Sequence, residues 1–215
     1  ESYHCVKVLR MKSGDKLTVT DGKGYFYNCT LLDANPKYST VSILNRVRAF
    51  KKWNFNLQLA FSPTKQMDRN EWFIEKATEL GVDKFIPVIS SYSERKEIKT
   101  ERLKKTAISA MKQSLKSYLP EIDEPIKFHD FISIPFDGKK FIAHCHDLPK
   151  KPLVQSYIKG QNALIIIGPE GDFSKEEVNE ASKYGFIPIS LGESRLRTET
   201  AALVASHSIH VLNNI

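Results

Sequence analysis

The chain has 215 residues, enough for one large or two small domains with a hydrophobic core. Its apolar and charged fractions, 41% and 27%, are those of an ordinary globular protein, and no apolar run approaches the length of a membrane span. Three widely spaced cysteines argue against a disulfide framework and fit the reducing cytoplasm, and the polar first residues resemble no secretory signal. A formal charge of +7 indicates either a polyanionic partner such as nucleic acid or simply a well-solvated surface.

The first 50 residues predict a small antiparallel β module. Residues 16–20 alternate between polar and apolar, residues 21–24 (Asp-Gly-Lys-Gly) are a turn signal, and residues 25–32 follow as a second strand. Residues 38–44 predict a third strand, and the basic residues 46–54 a connection. Because closure removes exposed strand edges, we expect this module to be a barrel.

From residue 55 onward short apolar strands alternate with helices, which predicts an α/β fold with a mostly parallel sheet covered on both faces. The predicted strands are residues 56–61, 85–89, 141–143, 163–167 and 187–191. The predicted helices are residues 68–80, 101–118, 174–184 and 200–212. Gly81 is expected to end the first helix, and the spacing of Ser174 and Glu177 predicts a capping box at the third.

Three predicted loops follow the carboxyl ends of strands, where ligands of open parallel sheets bind. They are residues 143–147, 168–173 and 192–199. If their strands are neighbours, these loops converge on one pocket, and their glycines let a ligand approach bare backbone. The chain contains neither the P-loop nor the dinucleotide-binding glycine pattern, which favours another kind of ligand.

Two groups of histidines have both a ligand-binding and a packing interpretation. His144 and His146 flank Cys145, but a closed zinc site needs four ligands and no second Cys/His cluster exists, so we predict no metal. His207 and His210 share one face of an otherwise apolar helix, which favours packing in the core or between subunits.

Six segments, taken in chain order, carry a resemblance to a known family. They are residues 4–10, 63–65, 75–82, 93–95, 167–171 (Ile-Gly-Pro-Glu-Gly) and 196–201 (Leu-Arg-Thr-Glu-Thr-Ala). Over nearly the whole chain they resemble the ribosomal RNA small subunit methyltransferase E family, which belongs to the SPOUT, or trefoil-knotted, methyltransferases.

The resemblance implies a cytoplasmic homodimer that uses S-adenosylmethionine to methylate N3 of a specific uridine in 16S rRNA, either free or in the small ribosomal subunit. It implies a PUA-like RNA-binding β-barrel over residues 1–50, whose first strand we expect to be missing from this sequence. It also implies a SPOUT α/β domain with a trefoil knot over residues 55–215. True knots are rare, so the knot is expected from the resemblance alone.

The resemblance also assigns candidate site residues. Arg197 is the candidate cation for stabilising a uridine anion, and Glu170 or Glu199 the candidate base, although either carboxylate can instead orient loop amides. The candidate cofactor-binding residues are Ala143, His144, Ile167, Gly168, Glu170, Gly171, Leu191, Gly192, Leu196 and Thr198. The candidate RNA-binding residues are Lys7, Arg10, Lys12, Lys65, Arg69, Arg95, Lys112 and Lys116.

The chain departs from the family pattern in three places. Asp172 stands where the family usually has a second glycine, and Ser194 and Arg195 stand where it has an arginine followed by an aliphatic residue. Lys112 and Lys116 replace an arginine-rich turn. The changes at Asp172 and Ser194 motivate an alternative function, an RNA-binding ribosome-assembly factor with weak or lost catalysis. A second alternative is a SPOUT methyltransferase that acts on tRNA.

Overall fold

The computed structural model describes residues 1–49, 51 and 53–214. Phe50, Lys52 and Ile215 lie outside the described residues, so the predicted connection over residues 46–54 and the domain ends predicted at 50 and 215 are covered only in part. The chain divides into two compact units, one formed by residues 1–52 with 111–119 and the other by residues 53–110 with 120–215.

The first unit contains a three-stranded antiparallel sheet. Its strands, β1 (Lys16–Thr20), β2 (Tyr25–Asp33) and β3 (Thr40–Arg48), pair in the order β1-β2-β3. The predicted turn between β1 and β2 forms because Asp21 Oδ1 accepts the backbone N–H groups of Lys23 and Tyr25 at 2.7 and 3.2 Å. Among the described residues β1 and β3 each belong to this sheet through β2 alone, so its closure into a barrel stays a prediction.

The predicted bounds of β3 are wrong. The strand runs on to Arg48, past the predicted end at residue 44 and into the predicted connection, because its ladder with β2 continues as far as Tyr25. Before β1, the backbone of His4–Val8 forms a single π-helical turn, which periodicity did not predict.

Helix α2 (Thr100–Gln113) ends before the predicted residue 118. Leu115 adopts a left-handed φ of 53°, and the residues after it pair with the β1–β2 turn instead of continuing the helix. Gly24 N donates to Ser117 O at 2.8 Å, and Leu119 N donates to Gly22 O at 2.9 Å. This non-local pairing explains why residues 111–119 belong to the first unit.

The second unit is built on an eight-stranded sheet in which every described pair is parallel, as predicted. Its strands are β4 (Leu57–Phe61), β5 (Lys84–Ile89), β6 (Glu121–Ile122), β7 (Ile126–Lys127), β8 (Lys139–Ala143), β9 (Lys151–Pro152), β10 (Ala163–Ile167) and β11 (Phe186–Ser190). They lie in the order β6-β5-β4-β10-β8-β11-β9, and β7 extends the pairing of β5. The central strand β10 is buried along its whole length, because all five of its side chains are apolar.

Helices cover both faces of this sheet. They are α1 (Met67–Leu80), α3 (Phe128–Ile132), α4 (Leu153–Ser156), α5 (Lys175–Lys183) and α6 (Thr198–Asn214), together with most of α2. One buried cluster joins Ile166 of β10 to Phe128 and Phe131 of α3 and to Val178 of α5. The alternate residues of the strands face the other way, where α1 packs beside α6. Among the described residues, no helix combines the length and apolar character needed to cross a membrane.

Two local signals in the sequence are confirmed. Gly81 ends α1 with a left-handed φ of 103°, and its N–H reaches the carbonyls of Ala77 and Thr78. Ser174 and Glu177 form the predicted capping box at the start of α5. Both signals fix a helix end beside a strand and therefore help to position the loops of the sheet.

Candidate active site

Five loops meet along one edge of the parallel sheet. Strands β5, β4, β10, β8 and β11 are neighbours in that order and run in the same direction, so their carboxyl ends share this edge. We call it the loop edge; its loops are residues 62–66, 90–95, 144–147, 168–173 and 191–197. The prediction that the loops after β8, β10 and β11 converge is confirmed, and the candidate cofactor residues lie on them or at their strand and helix ends.

The loop after β10 is the middle one. Glu170 is exposed, and its Oε1 accepts the backbone N–H of Lys65 at 3.0 Å. Asp172 has a φ of 67°, and its two carboxylate oxygens accept the backbone N–H groups of Cys145 at 2.7 Å and of Phe173 at 2.8 Å. Phe173 is fully buried and anchors the loop to the core.

Both glycines of this loop lie against neighbouring side chains. A Cβ on Gly168 would lie 3.1 Å from the ring of Phe173, and a Cβ on Gly171 would lie 3.1 Å from Cβ of Tyr92. Each contact is tighter than ordinary van der Waals packing, so the loop closes on its neighbours only because these positions carry no side chain. Ile167, at the end of β10, is buried.

The loop after β4 is fixed by side chains from the start of α1 and from a neighbouring loop. Asn70, at the start of α1, accepts from Thr64 N at 2.9 Å and donates to Thr64 O at 3.1 Å. Arg95 donates from Nε to Thr64 O at 3.0 Å and from Nη2 to Lys65 O at 2.5 Å. The guanidinium of this candidate RNA-binding residue therefore holds loop backbone.

The side chain of Lys65 and its backbone contact different partners. Its Nζ lies 3.0 Å from a carboxylate oxygen of Glu94, and this hydrogen-bonded ion pair raises the pKa of Lys65 above its ordinary value. Both side chains are largely exposed, so the pair contributes little to stability. Lys65 remains accessible to solvent at the loop edge.

Buried hydroxyl groups connect the loops after β4 and β5. Ser90 Oγ lies 3.1 Å from Ser62 Oγ and 3.0 Å from Ser93 Oγ. Glu177, the capping-box residue of α5, also accepts from Ser91 N at 2.8 Å and from Ser91 Oγ at 3.0 Å. The sequence did not assign these serines to the site, although Ser93 lies in the segment 93–95 that resembles the family and Glu177 belongs to the predicted capping box.

The loop after β8 carries a buried histidine. His144 is 6% exposed, and within the described part of the chain neither of its ring nitrogens has a hydrogen-bond partner. Burial lowers the pKa of His144 below its ordinary value of 6.5, so the ring is neutral at physiological pH. His146 Nε2, by contrast, lies 2.6 Å from Phe173 O. No group of three or more His, Cys, Asp or Glu side chains among the described residues is arranged to hold a metal ion.

The loop after β11 is the most open of the five. Gly192 has a φ of 126° with free space where a Cβ would lie, and Arg195 and Arg197 are exposed. Leu191 and Leu196 are half-buried at its two ends. Thr198 begins α6, and its hydroxyl donates to Gly168 O at 2.9 Å. This buried bond joins the two glycine loops that the sequence singled out.

Glu199 is the second candidate base and lies at the start of α6. It is 8% exposed, and its Oε2 is buried without a hydrogen-bond partner among the described residues. Its Oε1 lies 3.7 Å from Nε of Arg69, a half-buried residue of α1 that was predicted to bind RNA. Arg69 and Glu199 therefore form a partly buried ion pair at the loop edge.

The remaining RNA-binding candidates belong to the first unit. Lys7, Arg10 and Lys12 are exposed, and Arg10 has a φ of 56°. Lys112 lies 2.8 Å from a carboxylate oxygen of Glu1, and this hydrogen bond lowers the pKa of Glu1. Lys116 is half-buried.

Comparison with known proteins identifies the class. Residues 51–210 match the model of the RNA methyltransferase domain, and residues 1–44 match that of the RNA methyltransferase PUA domain. These two matches define an RNA methyltransferase whose methyltransferase domain is preceded in the sequence by a PUA domain.

The relatives narrow the class to one family. The chain is 34% identical over 201 residues to ribosomal RNA small subunit methyltransferase E of Aquifex aeolicus, covering 92% of this chain and 86% of that protein. It is 32% identical over 224 residues to the protein of the same name from Buchnera aphidicola, covering 98% and 85%. The chain belongs to the ribosomal RNA small subunit methyltransferase E family.

Solved structures agree in fold. A probable rRNA-methyltransferase from Porphyromonas gingivalis has a TM-score of 0.92 and 44% identity, covering 98% of this chain and 90% of that one. A ribosomal RNA small subunit methyltransferase E from Neisseria gonorrhoeae, solved bound to S-adenosyl methionine, has a TM-score of 0.87 and 27% identity, covering 98% and 88%.

Proposed function

We propose that this protein transfers the methyl group of S-adenosylmethionine to N3 of a uridine in the 16S rRNA of the small ribosomal subunit. Membership of the family supports methylation of this rRNA, and the Neisseria relative bound to S-adenosyl methionine supports the cofactor. The observation that carries the proposal is the junction of the two glycine loops through Thr198 and Gly168 at the loop edge. The uridine and its N3 atom come from the family resemblance.

The loop edge has features that fit this cofactor. S-adenosylmethionine carries amine, carboxylate, hydroxyl and adenine groups that need hydrogen-bond partners, and His144 offers two unpartnered ring nitrogens. Gly192 leaves room where any other residue would place a side chain. The residues that would hold the cofactor are Ala143, His144, Ile167, Gly168, Glu170, Gly171, Leu191, Gly192, Leu196 and Thr198.

When bound, S-adenosylmethionine supplies an electrophilic methyl group for an in-line displacement. N3 of uridine carries a proton and becomes a good nucleophile only when that proton leaves. Arg197 is exposed and permanently charged, so it is suited to stabilise the negative charge that develops on the uracil ring. We propose this as the catalytic role of Arg197.

Two carboxylates are candidates for the proton acceptor. Glu170 already accepts a backbone N–H from Lys65, whereas Glu199 keeps one buried oxygen without a partner among the described residues. This difference favours Glu199 as the base. Nε of Arg69, 3.7 Å from Oε1 of Glu199, would orient this carboxylate at the loop edge.

We propose that the first unit is a PUA-like barrel that binds RNA, since residues 1–44 match the RNA methyltransferase PUA domain. Its exposed cations Lys7, Arg10 and Lys12 would contact phosphate, and Lys112 and Lys116 would extend that surface. Lys65, Arg69 and Arg95 would contact RNA at the loop edge. Family membership further supports a trefoil knot, a homodimer and action in the cytoplasm, where ribosomal subunits are found.

The decisive experiment is mass spectrometry of rRNA and tRNA from a strain that lacks the gene, with and without the gene restored. Loss of N3-methyluridine from 16S rRNA alone, reversed on restoration, is the expected result. Loss from tRNA would support a tRNA methyltransferase instead. Unchanged RNA, together with no S-adenosylmethionine binding in calorimetry, would support an assembly factor without catalysis.

A further inference from the structure

The loop after β10 lies between two loops of the same edge. Strand β10 pairs with β4 on one side and with β8 on the other, so the loops after those strands flank it. Glu170 and Asp172 stand on either side of Gly171 at the tip of this middle loop. We call these two residues the carboxylate pair.

Glu170 holds the flanking loop after β4. Its Oε1 accepts the backbone N–H of Lys65 at 3.0 Å, while Arg95 donates to the carbonyl of the same residue at 2.5 Å. Lys65 is therefore held through both its amide and its carbonyl, by side chains from two different loops. A hydrogen bond to an ionised carboxylate is about twice as strong as one between neutral groups.

Asp172 holds the other flanking loop, after β8. Its Oδ2 accepts the backbone N–H of Cys145 at 2.7 Å, and its Oδ1 accepts that of Phe173 at 2.8 Å. The side chain is only 13% exposed, and the backbone has a left-handed φ of 67°. That conformation costs about 1 kcal/mol or more for a residue other than glycine, and Asp tolerates it because its short side chain bonds locally.

We propose that the carboxylate pair positions the cofactor pocket: Glu170 fixes the loop after β4 and Asp172 the loop after β8, each by accepting one backbone N–H across the loop edge. This inference rests on the proposed function, since it assigns a role within the same site. Both flanking loops come directly after strands of the sheet. In the loop after β8, Asp172 accepts the backbone N–H of Cys145, the residue that follows His144. Losing either bond leaves the core intact but loosens candidate cofactor residues: Glu170 and Gly171 on the middle loop, and His144 on the loop after β8.

The proposal gives Glu170 a different role from that of a base. A base must exchange a proton during each turnover, whereas a positioning carboxylate needs only an oxygen that accepts a hydrogen bond. Glu170→Gln keeps such an oxygen at nearly the same place. We therefore expect Glu170→Gln to weaken cofactor binding less than Glu170→Ala does, with both variants changing KM more than kcat.

The test measures the two bonds and the affinity separately. Hydrogen exchange of the Lys65 and Cys145 amides is followed by NMR in the purified protein without cofactor, and S-adenosylmethionine affinity is measured by calorimetry. Glu170→Ala is expected to speed exchange at Lys65 and not at Cys145, and Asp172→Gly at Cys145 and not at Lys65, so each variant is the control for the other. Each is expected to raise the Kd for S-adenosylmethionine about tenfold, because a loosened loop has to be ordered again when the cofactor binds.

Glu94→Ala is the matched control, because Glu94 contacts only the side-chain amine of Lys65 among the bonds described above. It is expected to leave exchange at the Lys65 amide as it is. Thermal unfolding of each variant reports whether the fold is retained, and Glu170→Gln provides a second test if Glu170→Ala unfolds.

Two results would overturn the inference. One is faster amide exchange in Glu170→Ala and Asp172→Gly with an unchanged Kd for S-adenosylmethionine. The other is complete loss of methylation in Glu170→Gln with an unchanged Kd, which would make Glu170 the base. Failure of the unmodified protein to bind S-adenosylmethionine is a different result, because it would overturn the proposed function itself.

Discussion

The two sheets of this chain differ sharply in burial. All five residues of β10, in the parallel sheet, are buried, whereas β3, in the antiparallel sheet, has no buried residue. Four apolar side chains of β3 are 37% to 59% exposed, those of Val41, Ile43, Leu44 and Val47. The parallel sheet thus has a dense core that holds the loop edge in place, while the antiparallel sheet offers open surface. We expect substitutions in the second unit to change chemistry and folding, and those in the first to change RNA affinity.

The largest expected effect is on chemistry at the loop edge. Arg197→Ala should lower the rate of methyl transfer about 10²-fold or more, because it removes a preorganised cation, and should leave S-adenosylmethionine binding in place. Single-turnover methylation of a 16S rRNA fragment and calorimetry measure the two quantities. Arg195→Ala, an exposed cation on the same loop, is the matched control and should lose far less. Normal turnover in Arg197→Ala would rule out its catalytic role.

The difference in packing is tested by a pair of glycines with nearly the same backbone conformation. Gly81, in the second unit, has a φ of 103°, and Gly14, in the first, a φ of 99°. A Cβ on Gly81 would lie 2.3 Å from the ring of Trp53, whereas a Cβ on Gly14 would have no atom within 4 Å. Gly14→Ala should cost only the backbone strain, about 1 kcal/mol, and Gly81→Ala about 1–3 kcal/mol more from overpacking.

Tryptophan fluorescence measures the stability change of Gly81→Ala in the second unit. Both tryptophans, Trp53 and Trp72, belong to the second unit, so their emission during urea unfolding reports on that unit alone. Far-UV circular dichroism, which sees both sheets, follows Gly14→Ala. Equal losses of stability in the two variants would contradict the difference in packing density.

Elements with a strong local signal were predicted closely. The strand 163–167 was predicted residue for residue, because its apolar run is short, rich in isoleucine and flanked by Gly160 and Gly168, which favours a buried strand. Gly81 and Ser174 fixed two helix ends. The end of α2 was predicted wrongly, because it depends on pairing with the distant turn at Gly22 and Gly24. Helical periodicity carries no information about such a contact.

The site was predictable in its loops but not in its connections. The pattern of apolar residues predicts where the strands end. The glycine loops and the helix starts come directly after those ends, so they could be predicted too. The bonds from Glu170 to Lys65 and from Asp172 to Cys145 join residues far apart in the chain, so no spacing rule finds them. For the same reason, the use of Arg95 to hold loop backbone was not anticipated.

Within the second unit, His144 separates function from stability. His144→Phe removes a buried polar group without a described partner, so it should raise the free energy of unfolding by about 1 kcal/mol while weakening S-adenosylmethionine binding about tenfold. His146→Phe should instead lower stability, because it breaks the contact with Phe173 O. Thermal unfolding without cofactor measures the change in stability, and calorimetry measures the change in S-adenosylmethionine affinity. Loss of stability in His144→Phe would show that the ring is satisfied in the folded protein.

The same residue makes stability depend on pH. Burial lowers the pKa of His144 below 6.5 in the folded protein, while the unfolded chain keeps the ordinary value. Below pH 6.5 the unfolded state therefore binds more protons, so the free energy of unfolding falls as the pH drops through that range. Urea unfolding at pH 7.5 and 5.5 should show a smaller loss for His144→Phe than for the unmodified protein. Equal losses would mean that His144 does not titrate as a buried group.

The smallest effect is expected in the first unit and concerns RNA affinity alone. Arg10→Ala should weaken binding of a 16S rRNA fragment about fourfold at physiological salt, with no change in the rate of methyl transfer at saturating RNA. The slope of log affinity against log salt should fall by about 0.7, the contribution of one lost phosphate contact to a single strand. Lys112→Ala is the matched control, because its amine already pairs with Glu1 and should release fewer counterions on binding. Fluorescence anisotropy across a salt series measures both quantities. A lower transfer rate with an unchanged salt slope would reverse the assignment, because the first unit would then act on chemistry rather than on affinity.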